Sequence, residues 1–175
     1  SSGALSSPWL KQDLLVEERK KEAVEVGKYL GTENTIFLGL QDMKLDKEVK
    51  DPKIKLVVKK LLVKHKPTMI FVHSKYDPHS DHRAVNEVVM QALAEIDPKS
   101  TIPKYTYEVC NVVNETHPRK YVDVTKTFRK KMKAIKMFKS QKHWVYPLWV
   151  PIFIRAKIAG FHNKTKYAER FYKVR

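Results

Sequence analysis

The 175-residue sequence predicts an α/β fold with a mostly parallel sheet and helices on both of its faces. Three observations lead there. Short apolar runs of strand length alternate with longer segments of helical period, the pattern that β-α-β units require. Turn and capping residues stand at the joins, with Asp51-Pro52 ahead of one helical segment and Pro67 behind it. Residues 70–86 pass from a buried strand through a polar loop into a helix, which puts side chains beyond the carboxyl edge of an open sheet.

Taken in order, residues 1–7 are polar and loop-like, and Pro8 suits a turn or a first helical position. Leu15, Arg19, Ala23, Val26 and Leu30 recur at helical spacing, with Gly31 as the C-cap. Residues 35–38 read as a short strand, followed by a loop whose Asp42 is expected to face the same crevice as His79. Asp51-Pro52 opens a helix carrying Ile54, Val57, Val58, Leu61 and Leu62, and the strand 68–73 follows it. Val85, Val88, Val89, Ala92, Leu93 and Ile96 form the inward stripe of the next helix. Residues 105–113 and 121–124 read as further strands. Thr125 is expected to cap a basic helix with Phe128, Met132, Ile135 and Phe138 inward, and 167–171 to close the sheet. No repeat, low-complexity tract or linker divides the chain, so residues 1–175 are read as one domain.

Lys and Arg number 35 against 19 Asp and Glu, a net charge of +16 that attracts polyanions and anionic surfaces without specificity. The lysines are spread along helical faces, which argues against a specific nucleic-acid reader. No apolar run is long enough for a transmembrane segment and the N-terminus resembles no leader, so the sequence reads as soluble and cytoplasmic. Cys110 is the sole cysteine, which excludes an internal disulfide and fits a small core residue in a reducing compartment. Residues 144–154 hold two of the three tryptophans, and Pro147 and Pro151 argue against one uninterrupted helix there. This stretch is expected to pack against the domain, or against a sister subunit in a homo-oligomer, and not to anchor a membrane, with an interfacial membrane contact as the sharper alternative.

His79 and His82 flank Asp81 where the helix begins, at Ser80 or Asp81. Both rings then lie near its first turn, where the partial positive charge favours the neutral imidazole that a metal requires. The spacing leaves two readings open: metal or acid/base chemistry, or a capping aspartate between surface histidines. A catalytic zinc usually takes three protein ligands, more than this loop readily supplies.

The segment Asp77-Pro78-His79-Ser80-Asp81-His82-Arg83-Ala84-Val85 resembles the second motif of the PIG-L/LmbE-like N-deacetylases. Leu30-Gly31, Phe37-Leu38-Gly39 with Asp42, 121–125, 131–141, and Gly160 ahead of Tyr167-Ala168-Glu169 resemble further landmarks of that family, in the same order. The resemblance implies a Rossmann-like three-layer sandwich. It makes His82 the third ligand of a Zn2+ ion, His79 the group that polarises the substrate carbonyl, and Asp81 the carboxylate orienting that imidazole. The implied substrates are N-acetylated sugars and glycoconjugates, commonly an N-acetylglucosamine unit, hydrolysed to acetate and a free amine. The family's first motif, His-Pro-Asp-Asp-Glu, does not occur; His117-Pro118 is followed by Arg119-Lys120 and lies too late to replace it. Ser2-Gly3 resembles the segment after the family's second strand, so the expectation is a truncated chain lacking the first β-α-β segment. Such a chain should bind zinc weakly, with His73 and Asp77 as the next candidate ligands. The alternatives are a noncatalytic basic module that binds nucleic acid or an anionic surface, and an inactive sugar-binding relative.

Overall fold

In a computed structural model, which describes residues 12–32, 34–109 and 116–174, the chain divides into two units. One takes residues 1–42 and 121–169, the other 43–120 and 170–175. The expected N-terminal loop, Pro8 and Cys110 lie outside the described residues.

The first unit begins with α1 (Gln12–Leu30). Its spacing of apolar and long side chains turns Leu15, Arg19, Glu22 and Val26 inward. The buried Glu22 carboxylate is satisfied by Ser140, whose amide and hydroxyl donate to it at 2.8 and 2.6 Å. The helix stops at Gly31, whose φ of 90° is open to a residue without Cβ, and the amides of Gly31 and Thr32 both reach the Gly27 carbonyl. Residues 35–38 do not form the expected strand: Ile36, Phe37 and Leu38 are exposed coil. An apolar triplet has strand propensity, but a strand exists only by pairing, and among the described residues nothing pairs with it.

The core of this unit gathers Phe128 and Met132 from α5 (Phe128–Lys136) with Ala156 from α7 (Trp149–His162). Ile135, Ile152, Phe153 and Tyr167 pack around them, and the Phe128 and Tyr167 rings stack 4.3 Å apart. Thr127 takes the N-cap position of α5 in place of Thr125, whose hydroxyl accepts the Tyr167 amide at 3.2 Å. The prolines divide the apolar stretch as expected. The four-residue α6 (Lys142–Val145) ends before Pro147, and α7 takes Pro151 in its first turn, where a missing N–H costs nothing. Its packing departs from expectation: Ile152 and Phe153 face the core, whereas Trp149, Val150 and Ile154 are exposed.

In the second unit, α2 (Leu45–Glu48) precedes α3 (Pro52–His65). Asp51 caps α3 by accepting the Lys53 amide at 2.9 Å, and Lys66 leaves the helix at φ 44° before Pro67. The α4 helix (Ser80–Ile96) buries Ala84, Val88, Ala92 and Leu93, and packs on α3 and on β1 (Ile70–His73). The remaining strands are β2 (Lys104–Tyr107), β3 (Arg119–Asp123) and β4 (Ala168–Val174), in the order β1-β2-β4-β3. β1 and β2 are parallel, with Ile70 opposite Lys104 and His73 opposite Tyr107. β4 lies antiparallel to β2, with Lys104 opposite Val174.

The expectation of a mostly parallel sheet is therefore overturned: the four-stranded sheet is mixed, and parallel pairing among the described residues is confined to β1 and β2. Alternation of strand and helix correctly implies a parallel pair for β1-α4-β2, because a helical crossover returns the chain in the same direction. β4 follows α5 to α7, helices that build the first unit's core, so no such crossover sets its direction.

Candidate metal and catalytic centre

Parallel pairing brings the carboxyl ends of β1 and β2, at His73 and Tyr107, to one edge of the sheet. The loop 74–79 lies just beyond. Asn86, in the second turn of α4, donates to the His73 carbonyl at 2.7 Å and ties the helix to the end of the strand. Ser74 is buried, and its hydroxyl accepts the Tyr76 amide at 3.0 Å. Asp77 is 1% exposed and accepts the His79 amide on Oδ1 at 2.8 Å, the local turn that Asp-Pro-His favours. Arg83 closes the loop from the helix side, donating to the carbonyls of Asp77 and Pro78 at 2.8 Å each.

Three imidazoles converge there. His82 is stacked between the other two, 4.0 Å from His73 with planes 3° apart and 4.7 Å from His79. His79 is the N-cap of α4, and its Nδ1 accepts the Asp81 amide at 3.2 Å. In the neutral ring the proton is then on Nε2, which becomes a hydrogen-bond donor. Nδ1 of His82 lies 3.1 Å from Asp77 Oδ2, out of line for a straight hydrogen bond but close enough to favour a proton on Nδ1 and a free lone pair on Nε2.

Burial pushes the His73 imidazole down to about 4, and the neighbouring His82 adds to the effect. Burial alone would raise Asp77, but the His79 amide and the His82 ring outweigh it and hold the carboxyl below its ordinary range. Tyr107 is raised, first by burial and then by the Asp77 charge. The centre thus presents a neutral imidazole beside an ionised carboxylate at neutral pH.

His73, Asp77 and His82 each offer a ligand atom, all within 4.8 Å of one another. His73 Nδ1 is buried without a hydrogen-bond partner, and Asp77 Oδ2 and His82 Nδ1 have no well-aligned partner beyond their own 3.1 Å approach. A buried polar atom left unpaired costs roughly 1–3 kcal/mol, a penalty that a cation reached by His73 Nδ1 removes. Two imidazoles and a carboxylate are a donor set suited to zinc, so the residues fit the ion.

Of the residues singled out in the sequence, His79 and His82 come together as the spacing implied. The Asp81 carboxylate takes another direction. It accepts the amides of Met43 at 2.8 Å and Leu45 at 3.2 Å, holding Met43 at its positive φ of 61°. The carboxylate set against an imidazole is Asp77, on His82. Asp42 belongs to the first unit, where its charge acts on Arg19. Sequence reasoning ranked His73 and Asp77 only as reserve ligands; the signals for them were a histidine closing a buried strand and an Asp-Pro turn five residues before His82.

The family described as PIG-L, GlcNAc-PI de-N-acetylase, matches residues 1–93, more than half of the sequence. The chain belongs to the PIG-L family. Membership and the His/Asp cluster together give family-level support to a deacetylase with a metal site. Solved structures share its α/β fold. A conserved protein of Thermus thermophilus is 20% identical with a TM-score of 0.76, covering 98% of this chain and 75% of its own. The N,N'-diacetylchitobiose deacetylase of Pyrococcus horikoshii is 21% identical with a TM-score of 0.77, covering 99% and 70%. The 4-carboxy-2-hydroxymuconate hydratase of Pseudomonas putida is 16% identical with a TM-score of 0.72, covering 100% and 78%. The hydratase demonstrates that this fold hosts more than one chemistry, so function has to be argued from the site. No curated protein matches the chain. Among the described residues, no helix is long and apolar enough to cross a membrane.

Proposed function

We propose that this PIG-L family member is a zinc-dependent N-deacetylase, a single catalytic domain that hydrolyses the acetamide of an N-acetylglucosamine-type sugar conjugate. The observation that carries the reading is the convergence of His73, Asp77 and His82, with ligand atoms within 4.8 Å of one another, beside a His79 ring whose Nδ1 is held by the Asp81 amide. His82 would hold the ion through Nε2, with His73 and Asp77 as the neighbouring donors. When bound, zinc supplies a Lewis acid for the carbonyl and acidifies water.

The chain's own residues do the rest. Asp77 keeps the His82 proton on Nδ1 and so keeps Nε2 available. His79 donates from Nε2 to the acetamide oxygen as it gains negative charge, and its bond from the Asp81 amide fixes that tautomer before substrate arrives. Asp81 is a positioning residue: its amide orients His79, while its carboxylate clamps residues 43–45 against the start of α4. A second reading is a relative that binds the sugar without turning it over.

Acetate release from N-acetylglucosaminyl conjugates, followed with chelator and then with zinc restored, tests the proposal. Release that stops with chelator and returns with zinc supports it. Calorimetric binding of the conjugate without acetate would favour the sugar-binding relative. Binding of polyanions that collapses steeply with salt, and no sugar binding, would favour the basic module.

A further inference from the structure

We propose that α7 is a docking surface for an anionic lipid bilayer, lying in the plane of the interface. Val150, Ile154, Ile158 and Phe161 are each at least half exposed, Phe161 to 82%. At about 100° per residue these four fall within an arc of about 80°, one continuous apolar stripe along the helix. Single exposed apolar residues need no explanation, but four in line on one helix mark a contact surface.

Charge identifies what covers it. Residues 121–169 hold twelve Lys and Arg against two acidic residues, and ten of the twelve cations are exposed. Lys157 borders the stripe on α7 itself, and Lys164 and Lys166 follow directly after the helix. Aliphatic side chains rimmed by lysines match an anionic headgroup layer above acyl chains. A second copy of the chain would set two strongly cationic surfaces against each other. A nucleic acid would leave the aliphatic stripe in water. With 14 residues, α7 is too short to span a bilayer, so the contact is interfacial.

The test is flotation of the full chain with phosphatidylcholine vesicles, with and without about one part in four of phosphatidylserine, at about 150 mM salt. The protein should float with the anionic vesicles and stay down with the zwitterionic ones. The double variant Ile154→Ser/Ile158→Ser should bind at least about tenfold more weakly, because two aliphatic side chains leave the interface. Phe161→Ser, near the helix end and highly exposed, is the companion least able to disturb folding, and should weaken binding in the same direction. Three outcomes overturn the proposal: no flotation with either vesicle; binding indifferent to both serine variants, which leaves only diffuse charge attraction; or a gel-filtration dimer that the double variant dissociates, which assigns the stripe to a second copy.

Discussion

Replacing His73 by phenylalanine keeps a flat ring against His82 while removing the titrating nitrogens, and so isolates what burying this imidazole costs. The ring's value falls from 6.5 in the unfolded chain to about 4 in the fold, chiefly through burial. Between these values the unfolded chain binds a proton that the folded chain refuses. Stability is therefore intact above about 6.5, drains away as the pH falls, and stops falling below about 4. At 1.36 kcal/mol per unit the full gap is about 3 kcal/mol, of which about 2 kcal/mol is lost between about pH 7 and about pH 5. For a chain of this length that is roughly 4–8 °C in melting temperature. Thermal and urea melts of the chelator-treated protein across this range should show the His73→Phe variant losing about 2 kcal/mol less than the parent. Equal slopes in the two proteins, or a His73 ring titrating near its ordinary value by NMR, would refute the reasoning.

The two histidines of the second motif should fail differently when changed. His82→Ala lowers zinc occupancy and acetate release together, whereas His79→Ala keeps the metal by elemental analysis and slows turnover by roughly a hundredfold or more. Asp81→Asn retains one acceptor oxygen for the two amides of Met43 and Leu45, so it should cost about 1–2 kcal/mol in urea melts, with Asp81→Ala costing more. A Cβ at Gly160 would stand 2.7 Å from the Thr165 carbonyl oxygen and 3.0 Å from Lys166 backbone atoms. Gly160→Ala should therefore destabilise by about 1–3 kcal/mol, and an unchanged urea midpoint would mean that the 165–166 turn yields freely.

Local chemistry was the most legible part of the fold. Asp51-Pro52 and Pro67 bounded α3, the aliphatic stripe from Val85 announced α4, and Gly31 closed α1, because each signal acts within a few residues of itself. Strand pairing was less so. Residues 35–38 carry a strand's composition without a partner, and nothing in the 168–174 segment tells which way it runs beside β2. At the site, the i, i+3 spacing of His79 and His82 was enough to predict their meeting. The approach of His73 and Asp77 depends on where β1 ends and how the loop folds back, which no spacing along the chain encodes. Likewise, the direction of the Asp81 carboxylate is set by residues 36 to 38 positions away in sequence.

Because β1 is the last strand in the order β1-β2-β4-β3, the outer row of its amides and carbonyls meets no strand among the described residues. Edges of this kind accept further strands. A segment laid there parallel to β1 would run out at the same end as His73 and deliver whatever residues follow it directly over the imidazole stack. The edge that ends beside the His73–His82 stack is thus also an open edge of the sheet among the described residues, and one short strand laid on it would add side chains to the proposed site.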